Sequence, residues 1–314
     1  MQANYDVNFN TDANAKYKYG FIGTEWDQGG CIGPSGQRTG PASVREAMQL
    51  AWGYVRDNRI FDIESNRVVD LNDMMIKDFG NIDDYIVTDW EYSNDRITEN
   101  VSKVIAEGFT PVVVGGDCSI HYPSVRAVHN ACEGNIGVIY MDAHCDFYND
   151  LRKYGNLSHG HPCGNIMKLP RVNGENVIHF GIRAYEKPEF YDYIVNHGSH
   201  VMTPQTFYKL GIAESAKEAL AILKKNTEKF VISLDIDVFE AAVAPGSAGP
   251  EVGGYSSYDL QEFLKILAPE AAGFVITEVN QTTDFNKHTA ILAAKLFNDF
   301  MIYNYAANSG NWRR

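Results

Sequence analysis

Short, continuous apolar runs recur along this chain of 314 residues, and they limit its fold more than any other feature. Such runs favour strands that are buried on both faces of a parallel sheet. Segments with helical spacing alternate with them, which is the βαβ order of a sheet covered by helices on both faces. The expected strands are 19–24, 67–71, 111–114, 136–141, 177–182, 231–234 and 274–277, and the expected helices are 43–52, 93–107, 215–226, 257–268 and 289–305. The pattern predicts one α/β domain over residues 1–314, with Ser43 as the N-cap of the first helix.

Acidic segments follow three of these runs. They are Gly115-Gly116-Asp117-Cys118, Asp142-Ala143-His144-Cys145-Asp146 and Asp235-Ile236-Asp237, and Glu278 follows a fourth run. The carboxyl ends of parallel strands meet at one edge of the sheet, where function concentrates. Carboxylates gathered there raise each other's pKa values unless a cation neutralises them. The segments therefore predict a divalent metal site, and the mixture of carboxylate and imidazole suits manganese, iron, nickel or zinc better than calcium.

The same segments carry a family resemblance. Gly115-Gly116-Asp117-Cys118-Ser119 resembles the Gly-Gly-Asp-His-Ser motif of the arginase/agmatinase (ureohydrolase) family with one substitution, and residues 142–146 match its Asp-Ala-His-x-Asp. Ser233-Leu234-Asp235-Ile236-Asp237 is similar to its Ser-x-Asp-x-Asp signature, and the resemblance extends over nearly the whole chain. It implies an arginase-like three-layer α/β/α sandwich with a parallel central sheet of roughly eight strands.

The resemblance also implies the chemistry. A water or hydroxide that bridges two manganese ions would attack the central carbon of a guanidinium group, and urea and an amine would be released. A guanidinium carbon is a poor electrophile, so the reaction needs the strong nucleophile that such ions supply near neutral pH. The ligand positions fall on Cys118, Asp142, His144, Asp146, Asp235 and Asp237, and Asp146 and Glu278 are also expected to take part in catalysis.

Cys118 stands where the family has a histidine. A thiolate is a softer ligand, better suited to zinc, iron or copper, so iron, nickel and zinc stay open as alternatives to manganese. Direct ligation by the thiolate is the preferred interpretation. His121, one helical turn further on, is an alternative ligand, and a weak or absent first metal is another. Cys145 alternates away from the site and is expected to be a small buried side chain.

The segment 155–162 resembles the family's substrate loop. Its His-Gly step maps the proton-shuttling histidine onto His159, and the near-neutral pKa of histidine suits that role. His161 and Asn156 are predicted substrate contacts in the same loop. Glu186 and Glu240 are further predicted substrate contacts, because a guanidinium or ammonium group favours an anionic neighbour.

Composition is consistent with this interpretation. A formal charge of −13 argues against nucleic acid and suits a small cationic substrate. No apolar run is long enough for a membrane span, and the first residues show no signal peptide. Five cysteines, two of them in the predicted site, indicate a reducing cytoplasm. The family resemblance implies a homo-oligomer, a trimer or hexamer.

The substrate stays open between several compounds. Gly155-Asn156-Leu157-Ser158-His159-Gly160 resembles arginases, whereas Ile120-His121-Tyr122-Pro123 resembles agmatinases, and a guanidino compound other than arginine is favoured. A modified guanidine or a formimino compound is the alternative. A catalytically silent homologue with a binding or regulatory role and a single-metal hydrolase are rival functions.

Overall fold

The computed structural model describes residues 7–30, 33–52, 55, 57–147 and 155–313. The prediction of a single domain over 1–314 includes residues outside these ranges and stays a prediction.

An eight-stranded parallel sheet forms the centre of the structure. Its strand order is β4-β1-β5-β10-β9-β6-β7-β8, and every pairing between neighbours is parallel. The strands of the chain are β1 Tyr17–Thr24, β2 Arg59–Asp62, β3 Arg67–Asp70, β4 Met74–Ile82, β5 Thr110–Val114, β6 Ile136–Met141, β7 Val177–Phe180, β8 His200–Met202, β9 Lys229–Asp235, β10 Ala271–Thr277 and β11 Trp312–Arg313. The four strands that precede the acidic segments, β5, β10, β9 and β6, are consecutive in the middle of this sheet.

Helices cover both faces of the sheet. They are α1 Gly40–Trp52, α2 Trp90–Ala106, α3 His121–Ala131, α4 Pro162–Ile166, α5 Pro188–Asn196, α6 Pro204–Leu210, α7 Ile212–Leu223, α8 Ser257–Leu267 and α9 His288–Ser309. Helices α1, α7, α8 and α9 contribute to one apolar cluster, and α2, α3 and α4 contribute to another. The predicted three-layer α/β/α architecture is confirmed.

Alternation along the strands fills the two clusters. In β5, Val112 and Val114 belong to the first cluster and Val113 to the second. All three are at most 1% exposed, because successive side chains of a strand point to opposite faces and both faces are covered. No helix in the described part of the chain combines the length and apolar character that a bilayer span requires.

Two expectations about local structure were wrong, and one edge strand of the central sheet was not expected. Residues 67–71 do not join the central sheet; β3 forms a separate antiparallel sheet with β2 and β11. Strand β4 was not predicted, because its charged and amide side chains suit the edge position it occupies and break the apolar run. Ser43 is not an N-cap, because helix α1 begins at Gly40 and the Ser43 hydroxyl donates back to the Gly40 carbonyl.

Candidate metal centre

The ends of the central strands bring the acidic segments together. Thr277, the last residue of β10, is in register with Asp235, and Met141, the last residue of β6, is in register with Leu234. The residues that follow these strands therefore emerge at one edge of the sheet. A cavity of about 110 Å³ lies there, lined by Gly33, Cys118, His144, Asp146, His159, Asp235, Asp237, Ala248, Gly249 and Glu278.

Cys118, Asp142 and Asp146 form the first group of possible metal ligands. One ligand atom from each lies within 4.8 Å of the others, and all three residues are buried. Asp146 has a left-handed backbone conformation with φ of 46°, which costs a non-glycine residue energy. Its Oδ2 accepts a hydrogen bond of 2.7 Å from the Tyr140 hydroxyl. The fold therefore holds Asp146 in a strained but fixed position that aims its carboxylate at the same point as Cys118.

Asp142, His144 and Asp237 form the second group, within the same distance limit. His144 Nδ1 lies 3.3 Å from Asp142 Oδ1 and 3.0 Å from Asp237 Oδ2. Asp142 Oδ1 also accepts from the His144 backbone N–H, and Asp237 Oδ1 accepts from that of Ala143. Because Asp142 belongs to both groups, the two groups adjoin, as a pair of metal ions with a shared ligand requires.

Asp235 connects this centre to Cys118. Its Oδ1 accepts a hydrogen bond of 2.8 Å from the Asp237 N–H, and its Oδ2 is in direct contact with Cys118 Sγ. Glu278 lies on the other side of Cys118, where its Oε1 accepts a hydrogen bond of 2.8 Å from the Cys118 N–H. The structure thus brings all six predicted ligands and Glu278 into one centre.

Burial and mutual repulsion dominate the electrostatics of these residues. Burial, and then the charge of Asp237, raise the pKa of Asp142 to about 7. Burial, and then the charge of Asp117, raise the pKa of Glu278 to about 8. Burial also raises the pKa values of Asp146, Asp235 and the Cys118 thiol, and neighbouring carboxylates add to each rise. For His144, burial opposes the charge, but hydrogen bonds to Asp142 and Asp237 outweigh it and raise the pKa.

The donor set fits divalent cations. Asp142 Oδ2 is buried without a hydrogen-bond partner in the described structure, and a buried acceptor of this kind normally has one. No lysine or arginine is among the described residues that line the cavity. Cations at this point would neutralise the carboxylates and satisfy the open oxygen.

His159 lines the cavity, but its pKa is not the near-neutral value that was expected, and its role as a proton shuttle stays a prediction. Its backbone N–H donates to the Gly29 carbonyl, which fixes the loop, and its ring lines the cavity. Its Nε2 is buried and has no partner in the described structure. Burial, and then the charge of His144, lower the pKa of His159 to about 4, so that the imidazole is neutral near pH 7. A neutral imidazole nitrogen without a hydrogen-bond partner can accept a proton.

His121 is also drawn toward the centre. It is fully buried, with Nδ1 2.6 Å from the Ser233 hydroxyl and Nε2 2.8 Å from the Thr277 hydroxyl. One of its ring nitrogens lies within 4.8 Å of ligand atoms of both Cys118 and Asp235.

Two predicted substrate residues, Glu186 and Asn156, do not line this cavity. Glu186 is half-buried and accepts a hydrogen bond from the Cys145 backbone; burial, with smaller effects of its neighbours, raises its pKa. Asn156 is exposed and lines a second cavity of about 600 Å³ together with Trp90 and Leu157. Cys145 is buried in a small apolar cluster with Phe147, as predicted.

The other two predicted substrate residues, His161 and Glu240, contact neighbouring parts of the protein. His161 is 2% exposed and packs against Phe147, with ring centroids 5.1 Å apart. Glu240 Oε2 accepts hydrogen bonds from the N–H groups of Gly253 and Gly254 and so holds that turn. Neither residue is among those that line the 110 Å³ cavity. Their predicted contacts with substrate stay predictions.

Sequence reasoning missed two residues that position the site. The Tyr140 hydroxyl holds Asp146, and Gln37 Nε2 donates a hydrogen bond of 2.9 Å to Glu278 Oε2. Tyr140 is part of the apolar run of β6, so only its hydroxyl distinguishes it. Gln37 lies 241 residues from Glu278, and no local pattern marks such a pair.

Comparison with known proteins is consistent with this geometry. Formimidoylglutamase from Halalkalibacterium halodurans is 31% identical over 90% of this chain and 86% of its own length. Guanidinopropionase from Pseudomonas aeruginosa is 29% identical over 90% and 85%. The crystal structure of formimidoylglutamase from Bacillus subtilis superposes with a TM-score of 0.81 at 26% identity, over 92% of this chain and 88% of that one. The profile of the arginase family matches residues 17–303, and the chain therefore belongs to the arginase family.

Proposed function

We propose that the protein hydrolyses the guanidino group of a small cationic compound other than arginine, releasing urea and an amine. The observation that carries this proposal is the pair of adjoining ligand groups that share Asp142. His159 lines the same cavity, and its Nε2 has no hydrogen-bond partner in the described structure. The relatives named above act on amidino or formimidoyl groups according to their names, which supports hydrolysis of a carbon–nitrogen bond.

Two divalent metal ions are the proposed cofactor, with manganese as the first candidate and iron, nickel or zinc as the alternatives for the ion beside Cys118. Cys118, Asp142, Asp146 and Asp235 would hold one, and Asp142, His144, Asp235 and Asp237 the other. When bound, such ions act as Lewis acids and lower the pKa of water, so that a nucleophile forms near neutral pH.

His159 is proposed to carry the proton that the leaving amine needs. The reaction adds one water to the guanidinium carbon, breaks the bond from that carbon to the amine nitrogen and protonates that nitrogen. A neutral imidazole at this cavity can take up a proton and deliver it to the amine. Glu278 lines the same cavity and is proposed to accept N–H bonds from the guanidinium group with lone pairs that Cys118 and Gln37 do not use.

The surroundings favour a cationic substrate. The inner cavity is small and its described lining contains carboxylates without a lysine or arginine, so that it suits an amidinium head group. Glu186 is proposed to receive the distal amine, with Asn156 at the entrance to the larger cavity. His161 and Glu240 would contact substrate only if the loops that hold them rearrange.

A formimino compound is the second candidate, favoured by the relatives named formimidoylglutamase. Its hydrolysis would release formamide in place of urea. A dicarboxylate such as a glutamate derivative would require cationic partners, and the described lining of the inner cavity provides none. This difference in charge is why the guanidino compound is the first candidate.

The state and location of the protein are part of the proposal. We infer a cytoplasmic homo-oligomer, a trimer or hexamer. The described cysteines, at 118, 132, 145 and 163, are all free, which suits a reducing compartment. Sedimentation of the purified protein would measure the oligomeric state.

The test is product release from a substrate panel. The protein would be loaded with manganese under reducing conditions and given agmatine, guanidinobutyrate, guanidinopropionate, guanidine, arginine and formimidoylglutamate, with urea and formamide measured separately. Urea from a cationic guanidino compound, lost in His159→Ala, is the expected result. Formamide from formimidoylglutamate alone would support the second candidate. No product with manganese, iron, nickel or zinc would contradict both and favour a catalytically silent homologue.

A further inference from the structure

His121 lies where helix α3 packs against strands β9 and β10, next to the metal centre. It opens helix α3, and its two ring nitrogens contact hydroxyls on the neighbouring strands β9 and β10. Those hydroxyls belong to Ser233, two residues before Asp235, and to Thr277, directly before Glu278. The imidazole is therefore fixed by the same strands that present the ligands, on the side of the centre where Cys118 lies.

The distances between the ligand atoms of Cys118, His121 and Asp235 are short enough for all three to bind one metal ion. Ligand atoms of Cys118, His121 and Asp235 all lie within 4.8 Å of one another, and all three residues are buried. Zinc binds sulfur at about 2.3 Å and imidazole nitrogen or carboxylate oxygen at about 2.0–2.2 Å. Ligands at such bond lengths around one tetrahedral ion are about 3.3–3.8 Å apart. A small adjustment of side chains is thus sufficient for one ion to contact all three.

The hydroxyl contacts of His121 suit a ligand. An imidazole bound to a metal through one nitrogen normally donates its other N–H to an acceptor, which fixes the ring. The Ser233 and Thr277 hydroxyls place an acceptor at each nitrogen. Binding replaces one hydroxyl contact by the ion and keeps the other as the acceptor of the remaining N–H.

We propose that His121 is a metal ligand that joins Cys118 and Asp235, and that this set makes the ion at Cys118 a borderline transition metal such as zinc or cobalt in preference to manganese. The histidine that the family motif carries at position 118 is a cysteine here, and a nitrogen ligand is available one helical turn later. Thiolate, imidazole and carboxylate together favour such metals over manganese, which prefers oxygen ligands. This inference rests on the proposed function only in that both concern the same metal centre; it does not depend on the proposed reaction.

Cobalt supplies a direct readout. Metal-free protein loaded with Co²⁺ is expected to show a near-ultraviolet thiolate-to-cobalt absorption band that Cys118→Ser abolishes. His121→Asn is expected to weaken binding of the thiolate-bound Co²⁺ by about 100-fold, measured by competition with a chelator, since even loss of a supporting residue costs about 10–100-fold. His179→Asn is the matched control, because His179 is equally buried and belongs to none of the ligand groups.

A second variant, Cys118→His, distinguishes metal ligation by His121 from a role of His121 in packing alone. In Cys118→His, which restores the histidine of the family motif, His121→Asn is expected to change Co²⁺ affinity by less than about threefold. An unchanged cobalt affinity and spectrum in His121→Asn of the otherwise unaltered protein would overturn the proposal. A preference for cobalt over manganese that stays unchanged in Cys118→Ser and in His121→Asn would overturn its second part, because oxygen sites also bind manganese more weakly than cobalt.

The unaltered protein provides an independent measurement if His121→Asn does not fold. Zinc X-ray absorption of protein with both sites filled would count imidazoles: one for each ion if His121 and His144 both bind, and one for two ions if only His144 does. These outcomes do not depend on catalysis. Absence of urea and formamide with an intact cobalt spectrum would reject the proposed function and leave this inference standing.

Discussion

In the metal-free protein, the buried carboxyl groups of the metal centre are expected to destabilise the fold increasingly as the pH rises from about 4 to about 8. Burial raises the pKa of Asp142 from 3.8 to about 7 and that of Glu278 from 4.5 to about 8. A carboxyl group with a raised pKa binds its proton more tightly in the folded state than in the unfolded chain. Its cost to folding is therefore absent below the ordinary pKa, grows with pH through this window and is complete above the raised pKa.

The size of the effect follows from these values. A tenfold change in proton binding is worth about 1.4 kcal/mol. The rise of Glu278 from 4.5 to about 8 therefore costs the metal-free fold on the order of 5 kcal/mol above pH 8, before water entering the site reduces it. Bound cations neutralise the carboxylates and remove this cost, so the stabilisation by metal is expected to increase over the same window.

Denaturant unfolding at about pH 5, 6.5 and 8, with chelator or with metal, would measure this dependence. Glu278→Gln is the control, because it keeps the shape and an acceptor for the Cys118 N–H while it removes the charge. Metal-free Glu278→Gln is expected to exceed the unaltered protein in stability by a few kcal/mol near pH 8 and to agree with it within about 1 kcal/mol near pH 5. Parallel pH profiles for the two proteins would refute the reasoning.

Three further outcomes are expected. His159→Asn should lower kcat by about 10²–10⁴-fold, as loss of a proton carrier does, without loss of bound metal; full activity would exclude the shuttle role. Tyr140→Phe should weaken metal binding by about 10–100-fold in chelator competition, because Asp146 Oδ2 loses its donor, and an unchanged affinity would contradict that. Gly116→Ala should prevent folding or lower the thermal midpoint severely, because a Cβ there would lie 1.4 Å from the Trp26 carbonyl oxygen; an unchanged midpoint would mean that the backbone can move.

Much of the site could be predicted because its information is local. The acidic segments directly follow apolar runs, and a parallel sheet brings the ends of such runs to one edge. This relation holds within a few residues, so it is readable without the fold. Strand alternation predicted that Cys145 points away from His144 and Asp146, but the segment bends at residues 143 and 144 and Asp146 is left-handed, so the burial of Cys145 in an apolar cluster has a different geometric cause.

Strands β3 and β4 show that the local sequence pattern did not predict which segments join the central sheet. Strand β4 lies at the edge of the central sheet, and its polar side chains interrupt the apolar pattern by which a strand is recognised. The apolar residues of β3 belong to a separate sheet. A local pattern indicates that a segment is extended, but it does not say which neighbour completes its hydrogen bonds.

The sequence by itself determined the parallel α/β class, the family motifs and the candidate ligands with His159, because each depends on neighbours within one strand or loop. Only the tertiary structure decided which residues meet across the site. Cys118 contacts Asp235 across 117 residues, and His121 reaches Thr277 across 156. Such contacts follow from the order β5-β10-β9-β6, which places strands distant in sequence side by side. Strand order is set by packing of the whole core, and no segment encodes it alone.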